Sequence, residues 1–325
     1  MKAITNVLSF LVFIPLQLVA LPLAAIGVAI VTYRQVLVSR RLGVSSTGIE
    51  IIGGRWTMHV FGLRHDPPTA RLIKALPNAS PVGLWLVLFP LWLKYKLCGR
   101  HFLYPRVPRP GDETIADLVV ARTVYFDEML ERLAPEMEQL VVLGAGYDTR
   151  AYGTLKREGL RWFELDQIET QRVKTAALER AGVDARHVTF VTVDFRREDT
   201  FEQLLSAGYD PGKKTLFRWE GVTLYLSETE VRRTLGDVRS NAATGSALVA
   251  DIYAQRFVEF ASKGINRKTL EYTDEAISFG LPFETSHAEV FARFVTATGL
   301  RLGATQFLGT NHEKGPYQVV AELRV

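Results

Sequence analysis

Val141-Val142-Leu143-Gly144-Ala145-Gly146-Tyr147-Asp148-Thr149-Arg150, with Trp162-Phe163-Glu164-Leu165-Asp166 behind it, is the stretch that decides the fold. An apolar run feeds a Gly-x-Gly turn and a helix-compatible segment follows; a second apolar run then ends in acid. That is the layout of a nucleotide-binding β-α-β unit, in which glycines let the backbone turn tightly and an acidic side chain accepts hydrogen bonds from ribose hydroxyls. Taken alone, Gly-x-Gly also suits an ordinary strand-to-helix turn, and the acid at the end of the next strand favours the ligand-binding reading.

The dinucleotide fingerprint requires a third glycine three residues after the second, and position 149 is Thr. A pyrophosphate needs the close helix-strand approach which that glycine permits; a cofactor without phosphates does not. The departure favours S-adenosylmethionine over NAD.

Outward from this stretch, strands alternate with helices. Gln139–Leu143, Arg161–Leu165, His187–Val193, Thr215–Trp219 and Ser246–Ile252 read as strands, with helical patterns over Gln167–Ala181 and Ser227–Ala243. Asp112–Leu133 is amphipathic at helical spacing. The alternation predicts a parallel sheet with helices on both faces. Arg301–Phe307 and Tyr317–Arg324 flank a short Gly/Asn/Pro loop and predict an antiparallel hairpin at the sheet edge. The fold class is therefore α/β, a Rossmann-like seven-stranded sheet with a terminal antiparallel hairpin, on the class I methyltransferase plan rather than a dehydrogenase plan.

The N-terminal third is different. Val7 to Val31 holds no charged residue; as a helix it would reach roughly 37 Å, enough to cross a ~30 Å hydrocarbon core. Pro15 and Pro22 suggest a kink. The run is longer than the core of a cleaved signal peptide and Tyr33-Arg34 follows it, so a retained transmembrane anchor is expected over residues 1–34. Residues 35–111 read as a membrane-associated region. Gly48–Ile52, Gly53-Gly54 and Arg55–Phe61 suggest a small β-hairpin. Val82–Leu93, interrupted by Pro90 and edged by Trp85, Trp92, Tyr95, Lys94 and Lys96, suggests an interfacial or re-entrant helix, a buried core helix being the other reading. Residues 112–325 form the α/β domain. Lys2 alone precedes the first apolar run, whereas Arg34, Arg40, Arg41, Arg55, Arg64, Arg71 and Lys74 follow it. The positive-inside rule then places the α/β domain in the cytoplasm of a bacterial-type inner or plasma membrane and counts against a two-span hairpin.

The net charge of +4 fits contact with anionic headgroups. With no Arg/Lys stripe interleaved with aromatics, nucleic acid is not expected as a partner. Cys98 is the single cysteine, and the histidines show no ligand spacing, so neither a disulfide framework nor a metal site is expected.

Leu143-Gly-Ala-Gly-Tyr-Asp-Thr-Arg150-Ala-Tyr152, Phe163-Glu-Leu-Asp166, Val193-Asp194-Phe195-Arg196 and Trp219-Glu220-Gly-Val-Thr-Leu-Tyr225-Leu together resemble the leucine carboxyl methyltransferase family, which includes bacterial polyketide-associated O-methyltransferases. Ala121-Arg122-Thr123 resembles the arginine-bearing helix before that family's first strand. The resemblance runs over roughly Asp112 to Val325 and leaves the first 110 residues unmatched. It implies that S-adenosyl-L-methionine is the cofactor. Arg122 would hold its carboxylate, and Gly144 and Gly146, with Ala145 between them, would let the backbone approach. Asp166 would bind the ribose, with Gln167 beside it, and Asp194 and Phe195 would bracket the adenine. Glu220 would face the amino-acid end. Glu164 alternates with Asp166 along the strand, so one of the two is expected to be structural. Asp148 and Arg150 are expected to pair locally and fix the turn.

Methyl transfer from a sulfonium needs little acid-base help when the acceptor already carries the lone pair. Glu220, Tyr225, His287 and His312 are the catalytic candidates, His287 or His312 serving as base for a hydroxyl acceptor; Tyr253, Arg256 and Asn311 are further acceptor contacts. The expected activity is O-methylation of a carboxylate or hydroxyl on a lipophilic small molecule at the bilayer. Alternatives are a tethered methyltransferase acting on a protein C-terminus or soluble metabolite, and a non-catalytic membrane scaffold that binds the cofactor. A nicotinamide dehydrogenase is more remote.

Overall fold

Alternate apolar side chains on each strand point to opposite faces, so a strand apolar at every position must be covered on both sides. Leu140 to Leu143 of β1 (Gln139–Leu143) meet that condition, and the structure, a computed structural model describing residues 2–195, 197–273, 275–284 and 286–325, buries the whole strand. Around it lie β2 (Arg161–Asp166), β3 (Val188–Thr192), β4 (Thr215–Trp219), β5 (Ala247–Tyr253), β6 (Arg301–Leu308) and β7 (Gln318–Arg324). They form one sheet in the order β3-β2-β1-β4-β5-β7-β6. Strands β1 to β5 run parallel, and β7 inserts antiparallel between β5 and β6. The strand boundaries expected from sequence hold to within a residue.

The helices are α1 (Lys2–Thr32), α2 (Ser39–Leu42), α3 (Thr47–Val60), α4 (Pro67–Ala75), α5 (Pro81–Cys98), α6 (Leu118–Leu133), α7 (Ile168–Arg180), α8 (Thr200–Ser206), α9 (Glu228–Asn241), α10 (Gln255–Ala261), α11 (Gly264–Tyr272) and α12 (His287–Thr296). Local chemistry starts several of them. A Ser227/Glu230 capping box opens α9, and the Ser80 and Asp66 side chains cap α5 and α4, with Pro81 and Pro67 next in the chain. Asp66-Pro67 and Ser80-Pro81 are therefore helix starts. The crossover from β1 to β2 holds only a 3₁₀ turn, Arg150–Tyr152, where a longer helix was compatible with the sequence. Arg150 is drawn into a buried ionic cluster there.

One sheet face, with Leu140, Val142, Leu216 and Val249, packs on α6 and α7 and also on Ile49, Ile52, Trp56, Leu72 and Ile73 of α3 and α4. The other face, with Val141, Leu143, Phe217 and Leu248, packs on α8, α9 and α12. The N-terminal region thus shares the core of the α/β domain.

One expectation is corrected here. The hairpin over 48–61 is instead α3. Ile49, Ile52 and Trp56 recur at helical spacing and are 5%, 1% and 4% exposed, so burial of one helical face outweighs the Gly53-Gly54 turn signal. Residues 82–97 are part of α5, which packs between α3 and α1. Trp56 meets Trp85 edge to face at 6.0 Å, and Phe61 lies 5.9 Å from Tyr95.

Helix α1 runs unbroken through Pro15 and Pro22, then passes through a π-helical turn, Tyr33–Val38, into α2. Among the described residues of α1, Ser9, Phe13, Ala20 and Gly27 are buried, a stripe that faces α5. A Cβ on Gly27 would come 2.6 Å from the Gly83 carbonyl oxygen, so the two glycines let the helices touch. At the other end Lys94 Nζ lies 3.2 Å from Asn6 Oδ1. The helices are therefore antiparallel. The segment between them packs on the α/β domain, so Arg55 and Arg64 lie against that domain and are not carried to the far end of the pair. Val7, Leu11, Leu18, Val19 and Ile26 are among the residues that leave the rest of α1 apolar and exposed. Among the described residues, Asn6–Leu42 and Pro81–Cys98 are the two helices long and apolar enough to cross a membrane.

Candidate active site

Strand order reverses between β1 and β4, and open α/β sheets bind ligands at such a point, beyond the carboxyl ends of the strands. A cavity of about 420 Å³ lies there. Its lining includes Gly144, Ala145, Gly146, Asp166, Gln167, Asp194, Phe195, Arg122, Glu220 and Tyr225. Every residue expected to touch the cofactor thus lines one cavity. Arg196, quoted with Asp194 and Phe195, lies outside the described residues.

Gly144 has φ +72°, and a Cβ there would lie 2.4 Å from Val222 Cγ2. No side chain fits, which explains the first glycine of the turn. Asp166 accepts from the Gly146 amide at 2.6 Å and the Gln167 amide at 2.8 Å. Burial pushes its carboxyl above the usual range, against those two hydrogen bonds. Glu164, one register step back, accepts from Lys174 Nζ at 2.6 Å and from the Tyr152 hydroxyl at 3.1 Å. Of the two acids on this strand, Asp166 faces the cavity and Glu164 is structural.

Across the cavity floor lies a buried ionic cluster. Glu220 meets Arg55 Nη2 at 2.7 Å, Arg150 Nη1 at 2.8 Å, Arg218 Nη2 at 2.9 Å and Arg122 Nε at 3.4 Å. Asp148 meets Arg55 at 2.5 Å, Arg150 at 2.7 Å and Arg218 at 3.2 Å. Burial raises both carboxyls, but the surrounding guanidiniums outweigh it and hold each well below its ordinary value. Glu220 is therefore held as an anion among the guanidiniums of the floor. Arg122 Nη1 donates to Asp251 Oδ2 at 3.2 Å and to the Tyr253 hydroxyl at 2.5 Å, so Tyr253 holds an arginine rather than an acceptor.

Tyr225 lines the cavity and donates to Thr47 Oγ1 at 2.7 Å; burial pushes its phenol above the ordinary value. His287 and His312 do not line the cavity. His287 lies 4.7 Å from the Phe307 ring, and His312 Nδ1 accepts from the Lys314 amide at 3.1 Å. The insertion of β7 beside β5 carries these elements to the sheet edge, two and three strands from β4, about 5 Å per step. Asn311 bonds Asp112, and Arg256 bonds the Gly315 carbonyl, so neither is an acceptor contact.

The residues missed by sequence come from α2, α3 and the segment after α11: Arg40, Thr47, Ile52, Arg55, Thr273 and Glu275 also line the cavity. The 3.6-residue spacing of α3 was the available signal. The glycine turn itself docks this wall. Tyr147 accepts from Asn78 Nδ2 at 3.3 Å, Asp148 binds Arg55, and the Thr149 hydroxyl lies 2.6 Å from that of Thr69 and donates to Asp66. Thr149, where a dinucleotide fold would carry glycine, fastens the N-terminal region. Among the described residues, no group of three His, Cys, Asp or Glu is placed to hold a metal.

Residues 105–239 match the leucine carboxyl methyltransferase family. A Mycobacterium avium protein named as an S-adenosyl-L-methionine-dependent methyltransferase is 30% identical over 65% of this chain and 67% of its own length. One of the same name from Frankia alni is 36% identical over 52% of this chain and 62% of its own. The chain spans 56% and 58% of the lengths of matched relatives from Streptomyces avermitilis and Streptomyces coelicolor. A solved Thermobifida fusca structure described as a methyltransferase is similar at a TM-score of 0.46 and 14% identity, over 78% of this chain and 93% of that one. The fold is the seven-stranded α/β sheet with a terminal antiparallel hairpin expected from the sequence. The chain belongs to the S-adenosyl-L-methionine-dependent methyltransferase family.

Proposed function

We propose that this protein is a membrane-associated, cytoplasm-facing O-methyltransferase that uses S-adenosyl-L-methionine to methylate a carboxylate or hydroxyl of a lipophilic acceptor. The cavity chemistry fits the cofactor. Asp166 offers a carboxylate for two ribose hydroxyls, Asp194 and Phe195 offer the same cavity a carboxylate and an aromatic face suited to an adenine, and Arg122 offers a guanidinium to a carboxylate. When bound, the cofactor supplies an electrophilic methyl on a sulfonium. The protein's part is positioning and exclusion of water, since no proton needs to move for a carboxylate acceptor.

One observation carries the lipophilic reading. The cavity wall, α3, is packed along α5, and α5 carries α1, whose outward surface is apolar. The helix that begins as α1 continues through its π turn to Arg40 and Gly43 at the cavity. That continuity from the cavity to an apolar helical pair supports an acceptor drawn from a bilayer.

Calorimetric titration of the purified full chain with S-adenosylmethionine and with NAD tests the cofactor. Micromolar binding of the first alone is expected, weakened about 100-fold or more in Asp166→Ala, which loses charge-assisted hydrogen bonds. Binding of NAD, or of neither, would overturn the reading.

A further inference from the structure

A second cavity, of about 440 Å³, lies between α1, α3, α4 and α5 and is separated from the first by α3 alone. Ile51, Ile52 and Arg55 of α3 face the first cavity, and Glu50, Gly53, Gly54 and Thr57 face the second. Protein interiors are close-packed and leave few voids larger than a water, whereas ligand pockets run from ~300 to ~1,000 Å³. This space is a half-open groove whose size falls within the range of ligand pockets.

Its walls are apolar: Val28 and Val31 of α1, Ile73 of α4, and Leu84, Val87 and Leu88 of α5. The polar groups are few. The Glu50 carboxylate is the one charged group of the lining, and it has no hydrogen-bond or ion-pair partner among the described residues. Its side chain is exposed at the cavity, with neighbouring protein packed closely round it. Burial raises its carboxyl, against the pull of Arg122. The Tyr104 phenol lies near it, pushed up to about 12 by burial and by the Glu50 charge. Gln35, Thr57 and Ser80 add neutral polar atoms. No lysine or arginine lines the space, so a phosphate or carboxylate ligand would meet Glu50 with no cation to offset the repulsion.

We infer that this cavity binds a neutral single-chain lipid alcohol, its chain lying among α1, α4 and α5 and its hydroxyl donating to Glu50. The outer wall of the cavity is α1, whose opposite surface is exposed and apolar; resting on the membrane-associated reading proposed above, the ligand's route is through that side of the helical pair. The site stands apart from turnover and concerns binding, whichever acceptor the first cavity serves.

The test uses the full chain in lipid nanodiscs, with empty nanodiscs as the blank and retinol, a fluorescent isoprenoid alcohol, as the probe. Saturable retinol binding is expected. Leu84→Trp and Val87→Phe, each filling the cavity, should abolish it while S-adenosylmethionine binding, read by calorimetry, stays as in the wild type. Glu50→Leu should weaken retinol about tenfold, as should replacing retinol by retinyl acetate, which has no donor. No saturable binding, or binding indifferent to both fillings, would overturn the site. Equal affinity for retinol and its acetate would overturn the assignment of an alcohol. If one filling prevents folding, seen as lost cofactor binding, the other carries the test. Should the wild type take up retinol but not S-adenosylmethionine, the cofactor reading fails and the lipid site stands.

Discussion

Glu220 is the residue on which the candidate site turns. Four guanidiniums surround its carboxylate, which is 1% exposed. Removing it would leave several buried cations uncompensated, so Glu220→Ala should cost about 3–5 kcal/mol and show as a thermal midpoint lower by roughly 10 °C. The same cluster sets an acid limit. Asp148 and Glu220 bind protons less readily folded than unfolded, so their contribution is complete above the unfolded values, 3.8 and 4.5, and is lost as pH falls below them. The midpoint of the wild type should therefore drop steeply as pH is lowered through 4.5, and the Asp148→Asn/Glu220→Gln double variant should drop less steeply between pH 5 and 3. Equal slopes in thermal scans would remove the cluster from the account of acid stability.

At the scale of elements, α3 separates a tether from a functional part. Its Arg55 reaches both Asp148 and Glu220, and its apolar face joins the sheet core. Arg55→Ala should weaken S-adenosylmethionine binding about tenfold or more by loosening the floor that holds Arg122 and Glu220. Deleting residues 1–110 should give an aggregating remainder, because Ile49, Ile52, Trp56 and Leu72 no longer cover the sheet; a soluble, cofactor-binding remainder would reduce the N-terminal region to a tether. The helical pair has its own weak point at the Gly27–Gly83 approach, where Gly27→Leu should push α1 from α5 and raise protease sensitivity around residue 33.

These same elements show what the sequence made legible. Period-two and period-three-to-four patterns revealed β1 to β7, α7 and α9, because each has an apolar face set by its own residues. The cofactor turn was readable because Gly144 and Asp166 serve local backbone geometry. α3 was hidden because two adjacent glycines imitate a hairpin turn, and its identity depends on burial against strands almost a hundred residues away. His287 and His312 were misplaced for a related reason: a histidine near a strand end says nothing about which edge of the sheet that strand takes.

At the scale of the molecule, cofactor cavity, ionic floor, α3, α5 and α1 follow one another without a break from sheet to apolar surface. The central claim is that this continuity serves methyl transfer to a lipophilic acceptor. Its most direct test is incubation of the reconstituted full chain with S-adenosylmethionine carrying a radiolabelled methyl group and a total bacterial lipid extract, followed by organic extraction. The account predicts label in an organic-phase ester or ether, absent with Asp166→Ala. Cofactor binding with no organic-phase label, or label confined to aqueous products, would contradict it.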